Sequence, residues 1–317
     1  MTTHSRRERR LGAAALALTT IAGLAGCGSG ADPGVRSAAP RSAASTLAVD
    51  PAQAKVTRQI GRLEATHHAR IGAFAVDTGT GRAVSHRPDE RFAFASTFKA
   101  MACGAVLSKA RRSDPGLLDR VIHYTKDDLV EYSPVTEKHV DTGMTVADLC
   151  HAAITQSDNT AGNLVLRQIG GPAGLTAFFR SLGDQVSRSD RWETDLNVWK
   201  PGEVRDTTAP RPWAGDLRAL TTGPALVPAD RRRLIGWMKA TVTGDKRIRA
   251  GLPKSWTVGD KTGTGGTYGT ANDIAIAWPP SGAPLVIVVT TNRFGPEAEA
   301  DDGAVAETAR ILAGALR

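Results

Sequence analysis

Segments that predict β-strands lie near both ends of this 317-residue chain, and a long helical stretch separates them. Runs of apolar and β-branched residues predict strands before residue 87 and again after residue 255, whereas the apolar spacing from 96 to 240 is helical. The predicted strands are Ile71–Val76, Arg82–His86, Trp256–Asp260, Asn272–Trp278 and Leu285–Thr291. Because short turns join consecutive strands, we expect both ends of the chain to share one antiparallel sheet.

Further helices are predicted at the outer ends of this pattern. Asp50 and Pro51 form an N-cap and a first helical residue, and Val56 and Ile60 follow on one helical face. A last helix is predicted over Asp302–Leu316. The predicted fold class is therefore α+β, of the α/β sandwich type. It comprises an antiparallel sheet flanked by terminal helices, plus an inserted all-helical domain.

The first 49 residues differ in composition from the rest of the chain. Residues 1–26 combine four arginines and one glutamate with an apolar run that is too short to favour a membrane-spanning helix, so they predict a signal peptide. Residues 27–49 are rich in Gly, Ser, Ala and Pro and predict a flexible tether. The expected domains are an α/β domain of residues 50–86 and 240–317 and a helical domain of residues 87–239.

The charge of the chain gives little indication of a macromolecular partner. The formal net charge of +8 includes +3 from residues 1–26, which leaves +5 for the remainder. The basic residues are scattered or lie on predicted helix faces, so no nucleic-acid partner is expected. The seven histidines form no His-x-His pair and no His-Glu-x-x-His motif, so neither a metal nor another cofactor is expected.

Three short motifs occur in one order along the chain: Ser96-Thr97-Phe98-Lys99, Ser157-Asp158-Asn159 and Lys261-Thr262-Gly263. Each is weak alone, but the set is specific. Ser96 is expected at the start of a buried helix, where free N–H groups and the helix dipole favour the negative charge of an oxyanion. Lys99 is a lone cation in that apolar helix and is costly to bury without partners. It therefore favours a catalytic site over a structural N-cap serine.

A fourth motif, Arg191-Trp192-Glu193-Thr194-Asp195-Leu196-Asn197, lies in a segment without regular periodicity. Arg191 and Asp206 are suited to a charge-assisted pair across the neck of this segment. With the other three motifs, it resembles the class A serine β-lactamases over nearly the whole chain after the signal peptide, and residues 191–206 resemble the Ω-loop of that family. The resemblance implies an active site between the two domains.

The resemblance also implies the role of each site residue. Ser96 attacks the β-lactam carbonyl and forms an acyl-enzyme, and Lys99 supports its activation. Ser157, beside Lys261, passes a proton to the leaving nitrogen, and Glu193 activates the hydrolytic water. The backbone N–H groups of Ser96 and Thr264 form the oxyanion hole. Residues implied to bind substrate or to hold that water are Asn159, Asn197, Thr262, Gly263, Thr264, Arg247 and Tyr132. The expected activity is hydrolysis of penicillins and some cephalosporins by a monomer, which confers antibiotic resistance.

The chain departs from the family pattern in three places. Thr194 stands where the family usually has a proline after a cis bond, so the geometry of the Glu193–Thr194 bond is left open. The segment Thr270–Asn272 lacks the arginine found there in many relatives, and Arg247 fits the position that supplies it in others. The stretch Gly265–Tyr268 is one residue longer than in many relatives.

The three cysteines predict one lipid anchor and one disulfide. Leu24-Ala25-Gly26-Cys27 resembles a bacterial lipobox, so Cys27 is expected to carry a lipid that holds the exported protein at the outer face of the membrane, with some release also open. An incidental cysteine in a cleavage region is the alternative, and Sec and twin-arginine export are both open. Cys103 and Cys150 match a disulfide of some family members, and two reduced core cysteines are the alternative.

Two other functions share part of this pattern. A penicillin-binding DD-peptidase or transpeptidase carries the first three motifs but lacks a dedicated deacylating base such as Glu193. A β-lactam sensor that binds covalently without turnover needs a way to pass on a signal, and the sequence contains no signalling domain for this. Steady hydrolysis of a chromogenic cephalosporin would separate both from the hydrolase.

Overall fold

A computed structural model describes residues 50–317 of the chain. The predicted signal peptide, the tether and the lipidation site Cys27 lie outside the described residues. The helices of the described part are α1 (Pro51–His67), α2 (Phe98–Arg112), α3 (Val146–Thr155), α4 (Asn159–Gln168), α5 (Gly171–Leu182), α6 (Pro210–Thr221), α7 (Pro228–Lys239), α8 (Ile248–Gly251) and α9 (Asp302–Ala315). Its strands are β1 (Ala69–Asp77), β2 (Ala83–His86), β3 (Phe92–Ala93), β4 (Val121–Ile122), β5 (Met144–Thr145), β6 (Thr207–Thr208), β7 (Thr257–Thr264), β8 (Ala271–Trp278) and β9 (Leu285–Arg293).

Strands from both ends of the chain form one sheet. Within residues 50–317, five strands pair in the order β2-β1-β9-β8-β7, and every pair is antiparallel. β1 lies against β9 from Ala69 opposite Arg293 to Asp77 opposite Leu285. The predicted antiparallel sheet and α+β fold are therefore confirmed, and β7 lies at one edge of the sheet.

Both faces of this sheet are buried. In β9, Val286 and Val288 belong to a core that contains the helices α2 to α7, whereas Ile287 and Val289 belong to a second core with α1 and α9. Because successive side chains of a strand point to opposite faces, a strand between two cores is apolar throughout. This explains the unbroken apolar run that begins at Leu285. At the start of α1, Asp50 is the N-cap that the sequence predicts, and its side chain accepts a hydrogen bond from Ala52 N.

The edge strand β7 is longer than the sequence predicts. The predicted strand Trp256–Asp260 continues to Thr264 because Lys261 to Thr264 pair with the first residues of β8. The motif Lys261-Thr262-Gly263 therefore lies inside the strand and not after it. Its side chains take up the alternating directions of a strand at an open edge.

Cys103 of α2 and Cys150 of α3 are fully buried and are free thiols. The Cys103 Sγ lies 3.7 Å from the Cys150 carbonyl oxygen, so the thiol is directed at the backbone of α3 and is not bonded to the second sulfur. Burial raises the pKa of the Cys103 thiol well above its usual range, which keeps it protonated and unreactive. The predicted disulfide is therefore wrong for this structure. The alternative, two reduced cysteines in the core, is the state that it shows.

The described residues belong to one compact unit. The division of that unit into residues 50–86 with 240–317 and residues 87–239 stays a prediction. None of the helices between residues 50 and 317 combines the length and the apolar character needed to cross a bilayer.

Candidate active site

A cleft of about 580 Å³ opens between the edge strand β7, the start of α2 and the Ω-loop. All four sequence motifs contribute to its walls. The lining residues from these motifs are Ser96, Ser157, Asn159, Thr194, Asn197 and Thr262, and Thr264, which directly follows the third motif, also lines the cleft. The fold therefore brings together segments that are far apart in the sequence, at a position where one face of each segment remains accessible.

Ser96 lies in the short 3₁₀ turn Ala95–Thr97, which leads directly into α2. Its hydroxyl does not cap the helix. It donates to Glu193 Oε1 at 3.1 Å and accepts from Lys99 Nζ at 2.9 Å. Contact with both an amine and a carboxylate is the environment that activates a serine nucleophile.

The ammonium group of Lys99 is fully buried and has several polar partners. It donates to Asn159 Oδ1 at 2.6 Å and to the Ser157 carbonyl oxygen at 2.8 Å, and it lies 3.0 Å from Glu193 Oε1. Burial lowers the pKa of Lys99, and the negative charge of Glu193 opposes that change. These partners supply the hydrogen bonds and the opposite charge that a cation needs inside an apolar helix.

A second lysine and serine face the cleft beside the first pair. Ser157 lies between α3 and α4 with a φ of 60°, and its Oγ accepts a hydrogen bond from Lys261 Nζ at 2.9 Å. Lys261 is fully buried in β7 and also donates to the Thr262 carbonyl oxygen at 2.8 Å. Burial lowers the pKa of Lys261 well below its usual range, and the nearby charge of Lys99 acts in the same direction.

Glu193 is held in the cleft through both its backbone and its side chain. Asn163 of α4 accepts from Glu193 N and donates to the Glu193 carbonyl oxygen, both at 2.9 Å. Asn197 Nδ2 donates to Glu193 Oε2 at 2.6 Å. The Glu193–Thr194 bond, which the sequence leaves open, is cis. Asn163 was not among the predicted site residues, although its position four residues after Asn159 on one helix is a signal for it in the sequence.

The neck of the Ω-loop is closed by the pair that the sequence predicts. Arg191 Nε donates to Asp206 Oδ2 at 2.6 Å. The other carboxylate oxygen of Asp206 accepts from the backbone N–H groups of Asp190 and Arg191 at 2.8 and 3.0 Å. Because Asp206 is fully buried and accepts three hydrogen bonds, it fixes the two ends of the loop together.

Arg247 lies beside β7, and its guanidinium group is held on several sides. It donates to Asp302 Oδ1 and Thr264 Oγ1 at 2.7 Å each, and to the carbonyl oxygens of Gly263 and Asn272 at 2.9 and 2.8 Å. Asp302 was not predicted as a partner of Arg247, since no local sequence pattern links residues so far apart. The arrangement places one fixed positive charge at the end of the cleft.

The remaining predicted residues complete the walls of the cleft. Gly263 allows close approach, because a Cβ there would lie 2.8 Å from the Phe94 carbonyl oxygen. Thr262 Oγ1 lies 2.6 Å from Thr243 Oγ1, a partner that the sequence analysis did not identify. Tyr132 is 57% exposed and lines the entrance. In the part of the chain that the structure describes, no three His, Cys, Asp or Glu side chains converge as metal ligands.

Comparisons with known proteins agree with this geometry. Residues 55–316 match the sequence model of the Beta-lactamase enzyme family. Beta-lactamase AST-1 of Nocardia asteroides is 53% identical over 98% of this chain and 96% of its own length. Beta-lactamase FAR-1 of Nocardia farcinica is 54% identical over 82% of this chain and 83% of its own length.

Solved structures with similar sequences share the fold. The structure of a β-lactamase from Streptosporangium roseum is 59% identical with a TM-score of 0.82, and the alignment covers 83% of this chain and 98% of that one. An ancestral class A β-lactamase is 54% identical with a TM-score of 0.79, and the alignment covers 82% of this chain and 99% of that one. From its sequence, its fold and the contacts around Ser96, this chain belongs to the class A serine β-lactamases.

Proposed function

We propose that this enzyme hydrolyses the β-lactam amide of penicillins, and of some cephalosporins, through an acyl-enzyme on Ser96, and so confers antibiotic resistance. The single observation that supports this best is at Ser96 Oγ, where Lys99 Nζ and Glu193 Oε1 lie at 2.9 and 3.1 Å. Two groups that can take the proton of this hydroxyl are thus in reach, the Glu193 carboxylate and the Lys99 amine in its neutral form. That is the requirement for attack on an amide followed by hydrolysis of the ester.

In the first half of the reaction, Ser96 Oγ attacks the lactam carbonyl carbon. An ester bond forms and the ring C–N bond breaks. The hydroxyl proton passes to Lys99 or Glu193, and burial assists Lys99 because the lowered pKa favours its neutral, proton-accepting form. The backbone N–H groups of Ser96 and Thr264 stabilise the negative charge that develops on the carbonyl oxygen.

The nitrogen that leaves the ring needs a proton, and Ser157 supplies it. Its hydroxyl is replenished by Lys261, whose ammonium group donates to Ser157 Oγ at 2.9 Å. Burial supports this role, because a lowered pKa means that Lys261 gives up its proton more readily. The proton therefore travels from the ammonium group through the hydroxyl to nitrogen. The proton that Ser96 released replaces it, so Lys261 is again an ammonium group and Glu193 a carboxylate before the second half begins.

In the second half, Glu193 takes a proton from water, and the resulting hydroxide bonds to the ester carbonyl carbon. The bond from that carbon to Ser96 Oγ then breaks, and Glu193, which lies 3.1 Å from this oxygen, returns the proton to it. Asn197 orients that water. Its Nδ2 contacts Glu193 Oε2 at 2.6 Å, and its buried Oδ1 has no hydrogen-bond partner among the described residues. The free oxygen can therefore accept a hydrogen bond from the water, which leaves the second water proton directed at Glu193.

The substrate is oriented by groups at the two ends of the cleft. Arg247, with Thr262 and Thr264 beside it, binds the carboxylate next to the lactam ring through charge-assisted hydrogen bonds. Asn159 binds the side-chain amide of the substrate, and Tyr132 forms an aromatic wall at the entrance.

The variant Glu193→Gln tests this mechanism, because it keeps the shape of the side chain and removes the base. We expect the parent enzyme to hydrolyse benzylpenicillin and a chromogenic cephalosporin steadily. The variant should deacylate about 100-fold or more slowly, so that mass spectrometry finds a covalent adduct on Ser96. Ser96→Ala is the control that forms no adduct.

Three outcomes would contradict the proposal. Normal turnover by Glu193→Gln would remove Glu193 from the deacylation step. A parent enzyme that is acylated once and then stops would be a β-lactam sensor. Transfer of the acyl group of a D-Ala-D-Ala peptide by the parent enzyme would indicate a DD-peptidase or transpeptidase.

We also propose that the chain is exported, held at the membrane by a lipid on Cys27, and active as a monomer. The support is in the sequence, where an apolar run ends in the lipobox-like Leu24-Ala25-Gly26-Cys27. Growth of expressing bacteria with a labelled fatty acid should label the parent protein, whereas Cys27→Ala should stay unlabelled. An unlabelled parent would contradict the anchor.

The predicted domains are part of the same proposal. Residues 50–86 and 240–317 would form one domain and residues 87–239 the other. Separate apolar cores on the two faces of the sheet support this division. The reacting groups Ser96 and Lys261 come from different domains, so the cleft lies where the two meet.

A further inference from the structure

The outer part of the Ω-loop is bonded to the turn between β7 and β8. Thr267 Oγ1 accepts a hydrogen bond from Trp199 N at 3.1 Å and donates one to the Trp199 carbonyl oxygen. Next to it, Gly266 N donates to the Asn197 carbonyl oxygen at 3.0 Å. The rings of Trp199 and Tyr268 meet edge to face, with centroids 5.8 Å apart. One threonine hydroxyl thus satisfies both polar backbone groups of one loop residue.

The turn that carries Thr267 is fixed to the sheet. Tyr268 N donates to the Pro296 carbonyl oxygen at 2.9 Å, and Arg293 N, at the end of β9, donates to the Tyr268 carbonyl oxygen at 2.5 Å. Tyr268 and Gly269 have φ angles of 53° and 54°, and a Cβ at Gly269 would lie 2.5 Å from the Glu299 carbonyl oxygen. Because a side chain would not fit there, the turn is closely packed and can act as a fixed support.

The other attachments of the Ω-loop lie elsewhere. Asn163 holds the backbone of Glu193, and the pair of Arg191 and Asp206 closes the neck. Among residues 50–317, Thr267 is the only side chain from outside the Ω-loop that bonds the backbone of residues 197–203. The hydroxyl of Thr267 therefore holds this outer part together with Gly266 N and with Arg191, whose Nη1 donates to the Val198 carbonyl oxygen at 3.0 Å.

A short path leads from Thr267 to the proposed base. Trp199 is two residues from Asn197, and Asn197 Nδ2 donates to Glu193 Oε2 at 2.6 Å. We infer that Thr267 is a positioning residue for deacylation, which holds Asn197 at the distance from Glu193 that the hydrolytic water requires. This inference rests on the proposed role of Glu193 and adds a residue that touches neither substrate nor water. Acylation at Ser96 does not need Asn197, because Lys99 Nζ contacts Ser96 Oγ directly at 2.9 Å and can accept its proton.

The test compares Thr267→Val, which keeps the shape and removes the hydroxyl, with Thr267→Ser, which keeps the hydroxyl. Acylation and deacylation rate constants are measured separately for benzylpenicillin, by rapid quench and mass spectrometry. We expect Thr267→Val to deacylate about tenfold more slowly, with an unchanged acylation rate constant and a visible acyl-enzyme. Thr267→Ser should behave like the parent enzyme. Should Thr267→Val fail to fold by circular dichroism, Thr267→Ala takes its place.

A double-mutant cycle shows whether the effect passes through Asn197. In an Asn197→Ala background, Thr267→Val should cause no further loss of the deacylation rate constant. Equal slowing of both rate constants, an additive loss in the cycle, or parent-like deacylation by Thr267→Val would each overturn the inference. Failure of the proposed function looks different, because the parent enzyme itself would then show no steady turnover.

Discussion

At the scale of single residues, the site is built from charges that are buried together. Lys99 Nζ and Glu193 Oε1 are 3.0 Å apart, and both side chains are fully shielded from solvent. A buried ion pair costs much less than either charge alone. The enzyme can therefore keep both groups away from bulk water and still hold each within reach of Ser96. This suits a β-lactamase, since hydrolysis needs proton transfer in two successive steps.

Arg247→Ala should weaken substrate binding more than it slows the reaction. The guanidinium group lies beside Thr264 at the end of the cleft, and under the proposed function it binds the substrate carboxylate both before and during the reaction. We expect KM to rise roughly 10- to 100-fold, the value of a charged hydrogen bond of about 1.5–3 kcal/mol, while kcat changes less than about threefold. Steady-state kinetics with benzylpenicillin measures both constants.

Arg247→Lys is the matched control for that change. It keeps the positive charge and loses the fork of donors that binds Gly263 and Asn272. Partial recovery of KM by the lysine would assign the effect to charge. An alanine variant in which kcat falls as far as KM rises would contradict the prediction, because it would place Arg247 in the chemical step.

At the scale of elements, local patterns could be predicted from the sequence and pairing between distant segments could not. The strand over 285–291 and the cap of α1 follow from apolar runs and from a capping aspartate, which are properties of adjacent residues. No run of apolar or β-branched residues predicts the extension of β7 through Lys261-Thr262-Gly263. It exists because β8 supplies the hydrogen-bonding partners.

The site residues show the same difference between local patterns, which the sequence reveals, and contacts between distant segments, which it does not. The roles of Ser96, Lys99 and Glu193 could be proposed because each lies in a motif of short, fixed spacing. Asp302 holds Arg247 from a distant part of the chain, and only the fold shows that contact. Asn163 holds Glu193, and its spacing from Asn159 on one helix is the single hint of this in the sequence. For the two cysteines the sequence predicted a contact that the structure does not have. The family resemblance implied a disulfide between Cys103 and Cys150, and both are free thiols.

At the scale of the whole molecule, the sheet separates two cores and the reacting groups lie along one of its edges. Lys261 is on the edge strand itself, and Ser96 is at the start of the helix packed beside it. Side chains in rigid elements keep their relative distances better than side chains in loops. The Ω-loop is the exception in this site, which explains why it is attached at its neck, at Glu193 and at Trp199.

The stability of the whole molecule should depend on pH through one buried carboxyl group. Asp216 of α6 is 2% exposed, and burial together with the adjacent Asp184 raises its pKa from 3.8 to about 9. Between these values the folded protein keeps a proton that the unfolded chain has released. The protonated Asp216 carboxyl group stabilises the fold fully below about pH 4, and this contribution to the free energy of unfolding is lost as the pH rises to about 9.

Asp216→Asn removes this dependence, because the amide is uncharged at every pH and has no proton to lose. We expect the Tm of the variant relative to the parent enzyme to increase from pH 6 to pH 9. The difference in the free energy of unfolding should grow by at most about 1.4 kcal/mol per pH unit, which corresponds to about 2–4 °C in Tm. Thermal unfolding followed by circular dichroism at pH 6, 7.5 and 9 measures it. A Tm difference that stays constant over this range would show that Asp216 is already ionised in the folded enzyme.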